Sequence, residues 1–154
     1  MRTKILISIL ILIPSLALCA ERTYTVAGHS MEPALMPGDR VVVAPLDDRP
    51  LERGELVAIS LKGMHTPMVK RVVAVKGDAL EIRENALFVN NEKINNIDTG
   101  RWASTIKQLE HYGWRVPENN LFVLGDNPEN SRDSRRLGLL SLDQISGRVV
   151  RVIK

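Results

Sequence analysis

Met68-Val69-Lys70-Arg71-Val72-Val73-Ala74-Val75, closed by Lys76-Gly77-Asp78, is the stretch on which the fold turns. Its run of β-branched residues ending at a Gly-Asp turn signal predicts a strand. Side chains on a strand alternate between faces, so Lys70 shares a face with Met68, Val72 and Ala74. A lysine on an apolar face loses hydration, which disfavours its charged form and lowers its pKa. Such an amine can act as a general base near neutral pH. An edge-strand lysine whose ammonium reaches back to water is the plainer reading, and the pattern taken alone favours it.

Similar runs lie on both sides. Arg40-Val41-Val42-Val43-Ala44 is bounded by Pro37-Gly38-Asp39 and Pro45, and Leu56-Val57-Ala58-Ile59-Ser60-Leu61 follows the turn signal Arg53-Gly54-Glu55. Leu80-Glu81-Ile82-Arg83 and Leu87-Phe88-Val89 flank Glu84-Asn85-Ala86 as a hairpin. Leu121-Phe122-Val123-Leu124 stops at Gly125-Asp126-Asn127, and Gly147 to Ile153 is a last strand. Only residues 102–111 suit a short helix. Short strands separated by turn residues predict a mostly β, compact antiparallel domain, a sandwich or barrel.

The chain has 154 residues, of which 44% are hydrophobic and 25% charged. Those values exclude disorder, collagen and a polytopic membrane protein. Cys19 is the sole cysteine, so neither an intrachain disulfide nor a zinc site with several thiolates can form. Lys and Arg number 21 against 18 Asp and Glu, and the excess lies mostly in Arg2 and Lys4. No basic stripe with interleaved aromatics is present, so nucleic acid is not an expected partner.

Arg2 and Lys4 precede sixteen uncharged, mostly apolar residues, Ile5 to Ala20, which end at Glu21-Arg22. This is an export signal, with the basic start held in the cytoplasm. Two fates are open. Ala17 and Cys19 are small enough for the −3 and −1 positions of a cleavage site. Alternatively, residues 1–20 remain as a single-pass signal anchor in membrane lipid, with residues 21–154 as an extracytoplasmic β-rich domain. Sixteen residues rise about 24 Å as a helix, a little short of a roughly 30 Å hydrocarbon core, and snorkelling flanks or a thinned bilayer make up the difference.

Three regions can carry chemistry. Gly28-His29-Ser30-Met31-Glu32-Pro33 places a hydroxyl in a loop ahead of a strand. The Lys70 strand is the second. Asp126-Asn127-Pro128-Glu129-Asn130-Ser131-Arg132-Asp133-Ser134-Arg135 is the third, with more short polar residues than a connecting turn needs. Such side chains bond backbone locally, and a rigid polar loop can orient a base. His29, His65 and His111 are the only histidines. His29 adjoins Ser30, so their side chains diverge on an extended chain, and no histidine spacing suggests a metal. If Ser30 is a nucleophile, a lysine suits it better as base.

Together these segments resemble a type I signal peptidase, the membrane-bound serine peptidase that removes signal peptides from exported proteins. Ser30-Met31-Glu32-Pro33 is similar to its nucleophile motif and Pro37-Gly38-Asp39-Arg40-Val41 to the strand start that follows. Lys70 to Asp78 is similar to its general-base strand. Gly125-Asp126-Asn127 with Asn130 to Arg135 is similar to its polar loop. The resemblance implies Ser30 as nucleophile, Lys70 as general base and Ser131 orienting the amine. It also implies an Asp133–Arg135 ion pair holding the loop and the Ser30 backbone N–H as an oxyanion donor. Gly28 stands where some members carry a serine hydroxyl that supplies a second donor.

No metal or cofactor is implied. Signal-peptide-bearing preproteins with small residues at −1 and −3 are the expected partners, at the inner or plasma membrane. Two other readings stay open. One is a conjugative-transfer peptidase acting on pilin precursors. The other is a membrane-tethered inactive scaffold, against which the presence of Ser30, Lys70 and Ser131 weighs. If residues 1–20 are retained, carbonate extraction of membranes leaves the protein in the pellet. Release of a shortened soluble form would instead indicate cleavage after Cys19.

Overall fold

The computed structural model describes residues 20–84, 86–96 and 103–154. The apolar segment at residues 5–19 lies outside them, and with it the expected anchor helix. Among the described residues no helix is long and apolar enough to cross a membrane.

The domain is mostly β, and all its strand pairs are antiparallel. In chain order the strands are β1 (Arg22–Thr25), β2 (Arg40–Ala44), β3 (Leu56–Ile59), β4 (Met68–Ala74) and β5 (Leu80–Arg83). They continue with β6 (Ala86–Val89), β7 (Glu92–Asn96), β8 (Asn120–Leu124), β9 (Leu140–Ser141) and β10 (Ile145–Ile153). Two short helices, α1 (Ala103–His111) and α2 (Ser134–Leu137), flank β8 in the chain. Seven strands form one sheet in the order β1-β2-β10-β3-β4-β8-β9, and β5-β6-β7 form a second.

The large sheet is strongly curled. β1 and β4 are four strand positions apart, which in a flat sheet means about 19 Å at the usual strand spacing. Yet the Lys70 amine on β4 touches Ser30, just beyond β1, at 2.7 Å. Bulges help the sheet bend. The register shifts between Val149 and Arg151 where β10 meets β2, between Ile145 and Gly147 where β10 meets β3, and between Val72 and Ala74 where β4 meets β8.

Three apolar clusters fill the two faces. Met31, Leu35, Val41, Val43 and Ala58 pack beneath the loop that follows Ser30. Val57, Ile59, Val72, Leu121, Val123, Leu140 and Ile145 form a second cluster. Ala74, Leu80, Leu87, Leu109, Phe122 and Leu124 belong to a third, where α1 and the small sheet meet β4 and β8. Strand alternation sends Leu121 and Val123 one way and Phe122 and Leu124 the other. The β4 bulge breaks the alternation expected for Lys70. Val72 stays with the second cluster while Val73 and Ala74 both join the third.

β10 crosses the centre of the large sheet and binds β2 on one side and β3 on the other. Arg148 on β10 is buried and ties the β2–β3 connection to the sheet. It donates to Glu55 at 2.9 Å, to Asp47 at 3.0 Å and to the Arg49 carbonyl at 2.7 Å. At Gly147 a Cβ atom would lie 2.2 Å from the Ala44 carbonyl oxygen and 2.7 Å from Val43 Cγ1. Backbone rather than a flexible side-chain tip fills that space. Gly147→Ala is therefore expected to cost roughly 1–3 kcal/mol, read as a lower midpoint in urea denaturation.

Candidate active site

β1 leads into the loop that carries Ser30, and β4 presents Lys70. Lys70 is only 2% exposed although it is a lysine. Its Nζ donates to Ser30 Oγ at 2.7 Å and to the Val69 carbonyl at 2.8 Å. Burial is the largest influence on the amine and lowers its pKa from 10.5 to about 8. The Asp133 and Asp126 carboxylates pull upward and Arg135 downward, but desolvation wins. The amine is buried, as a base on an apolar face would be, and does not snorkel to water.

The polar loop holds the serine from the other side. Asn127 N–H donates to the Ser30 carbonyl at 3.0 Å. Gly125 lies so close that a Cβ there would sit 2.5 Å from the Ser30 carbonyl oxygen and 2.3 Å from Ser131 Oγ, so only glycine lets the two segments meet. Asp133 is fully buried and anchors the loop. Its carboxylate accepts two side-chain bonds from Arg135, each 2.8 Å, and one from Gly125 N–H at 2.9 Å. Burial alone would raise its pKa. The Arg135 guanidinium and Gly125 N–H outweigh burial and hold it below the ordinary carboxylate value.

Ser131 is buried beside this pair, but its hydroxyl forms no well-made hydrogen bond. In this structure no hydrogen bond joins Ser131 to the amine, which donates to Ser30 and the Val69 carbonyl. The Asp133–Arg135 pair forms as the resemblance implied. Ser30, Lys70, Ser131, Asp133 and Arg135 thus gather in one region. His29 turns away to Glu32 at 2.7 Å, and no histidine bonds Ser30 among the described residues.

Two features escaped sequence reasoning. Arg71, next to Lys70 on the opposite face, makes a two-pronged ion pair with Asp126 at 2.8 and 2.6 Å and donates to the Gly54 carbonyl at 2.8 Å. The pair ties β4 to the polar loop just behind the amine. The signal was present in the adjacent Lys70-Arg71 and the Asp126 of Gly125-Asp126-Asn127, but nothing in the sequence matched the two. The second feature is what α1 does, its position at residues 103–111 being the expected one. Thr105 is buried and donates to the Ser134 carbonyl at 2.8 Å, while Gln108 accepts from Leu139 N–H at 2.9 Å. The helix therefore braces the segment after Asp133.

A cleft of about 380 Å³ opens onto Ser30 and Lys70. One wall is Tyr24 to Met31 and the other is Thr66 to Val69. Val26, Val41, Met68 and Val69 make it largely apolar, and Asn130 and Arg132 reach it from the polar loop. Among the described residues no group of three or more His, Cys, Asp or Glu side chains could hold a metal ion.

The buried amine has a stability cost. Below about pH 8 it is protonated in folded and unfolded chains alike, and the folded state bears the full penalty. Between about 8 and 10.5 only the unfolded chain keeps the proton, so stability rises with pH through that window. Lys70→Met is therefore expected to stabilise the domain by about 3 kcal/mol at pH 7. The gain should shrink toward zero above pH 10.5, as followed by urea denaturation at both pH values.

The sequence matches the family described as signal peptidase, peptidase S26, over residues 1–153. Signal peptidase IB of Staphylococcus aureus is 34% identical over 144 residues, covering 82% of this chain and 74% of the relative. Signal peptidase I S of Bacillus subtilis is 34% identical over 137 residues, covering 80% and 72%. A solved signal peptidase I from Enterococcus faecalis V583 shares 24% identity at a TM-score of 0.49, covering 68% of this chain and all of that one. On the strength of the family match and the Staphylococcus aureus and Bacillus subtilis relatives, the chain belongs to the signal peptidase family, peptidase S26, and is a serine peptidase.

Proposed function

We propose that the chain removes signal peptides from exported preproteins, using Ser30 as nucleophile and neutral Lys70 as general base. Residues 1–20 hold it in the inner or plasma membrane, and residues 21–154 form the extracytoplasmic domain. The observation that carries this reading is the 2.7 Å contact between a buried, pKa-lowered amine and a serine hydroxyl at the base of an apolar cleft.

The preprotein segment lies extended in the cleft between residues 24–28 and 66–69. β1 is an edge strand, so backbone groups are available there for an added strand. Lys70 takes the Ser30 proton as Oγ attacks the scissile carbonyl. The Ser30 N–H is not spent on any hydrogen bond among the described residues, which supports its role as a donor to the developing oxyanion. The protonated lysine then gives its proton to the leaving amine. Lys70 then takes a proton from the water that attacks the ester and passes it to Ser30 Oγ as the ester C–O bond breaks, so the signal peptide leaves as a carboxylate and the dyad returns to its starting state.

Asp133 with Arg135, and Asp126 with Arg71, fix the loop and strand that meet at the dyad. Ser131 fills the contact between Gly125 and the Ser30 segment. Gly28 has open space around it and brings no side-chain donor, so oxyanion binding rests on backbone.

The reading is tested with detergent-solubilised protein, a panel of preproteins and a pilin precursor, followed by sequencing of the new N-termini. Ser30→Ala and Lys70→Arg are both expected to abolish cleavage, because guanidinium stays protonated. Wild-type rate should fall about tenfold per pH unit below about 8. An arginine variant that cleaves near-normally at pH 7 would end the dyad assignment. Products from the pilin precursor alone would reassign the substrate.

A further inference from the structure

Arg132 is a cation that the chemistry above leaves unused. The flanking backbone is extended, with φ −113° and ψ 134° at Ser131 and φ −144° and ψ −161° at Asp133. Successive side chains on extended backbone point to opposite sides. Ser131 and Asp133 are buried, so Arg132 is turned outward, and it lines the cleft. Its backbone is held on both sides, by Ser131 packed against Gly125 and by Asp133 bonded to Gly125 N–H. Its guanidinium makes no ion pair or hydrogen bond among the described residues.

The other charged or titratable side chains lining the cleft are Tyr24, His29 and Lys70, and no carboxylate lines it. Acids in the flanking segments are engaged elsewhere or do not line the cleft: Glu32 bonds His29, Asp133 bonds Arg135, Asp126 bonds Arg71, and Glu129 is exposed and is not among the lining residues. An unpaired guanidinium in a partly apolar cleft is a binding site for a carboxylate that the protein itself does not supply.

Its place in the cleft says which part of a substrate would meet it. The two long walls, residues 24–28 and 66–69, run up to Ser30 and Lys70, and in the proposed reading they hold the acyl side of the peptide. Arg132 belongs to the loop whose Asn127 N–H grips the Ser30 carbonyl, at the dyad end, past which the leaving chain passes. We propose that Arg132 is a specificity-determining residue that binds an Asp or Glu side chain within the first few residues after the scissile bond. Preproteins whose mature chains begin with an acidic residue would then be cleaved in preference to those that begin with a basic one. This rests on the signal-peptide-removing reading above.

The test is a set of three otherwise identical preproteins with Glu, Gln or Lys at the second position after the cleavage point. Wild type, Arg132→Gln and Arg132→Glu are assayed in uncharged detergent at low and high salt, and the readout is the ratio of kcat/KM values within each enzyme. Wild type should favour Glu over Lys by roughly fivefold, the range of a partly exposed ion pair, with the ratio shrinking at high salt. Arg132→Gln should flatten the ratio and Arg132→Glu should invert it. Misfolding cannot produce an inversion, so the charge-reversed variant keeps the result interpretable. A wild-type ratio near one, or a preference that survives in Arg132→Gln, overturns the proposal. So does a loss in Arg132→Gln that is equal for all three substrates and appears only with anionic lipid vesicles, which would assign Arg132 to a lipid phosphate. If wild type cleaves none of the three, the functional reading fails first, and that outcome differs from cleavage without charge preference.

Discussion

The structure is organised around one desolvated amine. Lys70 has given up nearly all contact with water, and in exchange it has a hydroxyl and a backbone carbonyl. Those two acceptors do not repay the loss of hydration, which is why its pKa falls. The fold could be more stable without the amine, and the surroundings are arranged to keep it there. Two carboxylates, Asp133 and Asp126, stand near enough to pull the pKa upward, yet each is already engaged by an arginine. That engagement limits their field at Lys70. A free carboxylate in either place would hold the amine protonated over a wider pH range.

Keeping the amine against Ser30 demands a curved sheet and a close-packed loop. The bulges of β10 and β4 let strands far apart in the sheet order meet across its hollow face. Gly125 then lets the polar loop lie directly on the Ser30 carbonyl. Arg71 and Asp126 fasten that loop to the neighbouring position on β4. Each of these devices acts on the backbone around the Ser30–Lys70 contact and does not touch the Ser30 hydroxyl. The precision of the contact therefore comes from a ring of supports that includes α1, through Thr105 and Gln108.

Much of this was legible in the sequence because the strands are dense in β-branched residues and stop at Gly-Asp or Pro. Those of Arg40–Ala44, Leu80–Arg83 and Leu121–Leu124 stand within a residue of where they were expected, and α1 occupies the one helical stretch. β1 was missed because Arg-Thr-Tyr-Thr is short, exposed and without an apolar face, and pairing with β2 alone makes it a strand. β7, Glu-Lys-Ile-Asn-Asn, has a single apolar residue and β9 is only two residues long, so neither carries a strand pattern. The face of Lys70 was read correctly as far as Val72, but the bulge beyond it has no sequence signature and puts Ala74 with Val73. The burial of the lysine runs against the strand pattern taken alone, because that pattern says nothing about what covers the strand. The Arg71–Asp126 pair joins residues 55 apart in the chain, a separation that no local rule reaches.

The strand order has a kinetic meaning. Ser30 sits on the half of the sheet built from β1 and β2, and Lys70 on the half built from β3 and β4. No direct ladder joins β2 to β3; β10 lies between them and pairs with both. A chain synthesised from its N-terminus has both halves available before the strand that unites them. Such distant pairings are slow to form. The contact between Ser30 and Lys70 therefore waits on the pairing of residues 145–153, the strand that joins the half of the sheet carrying one to the half carrying the other.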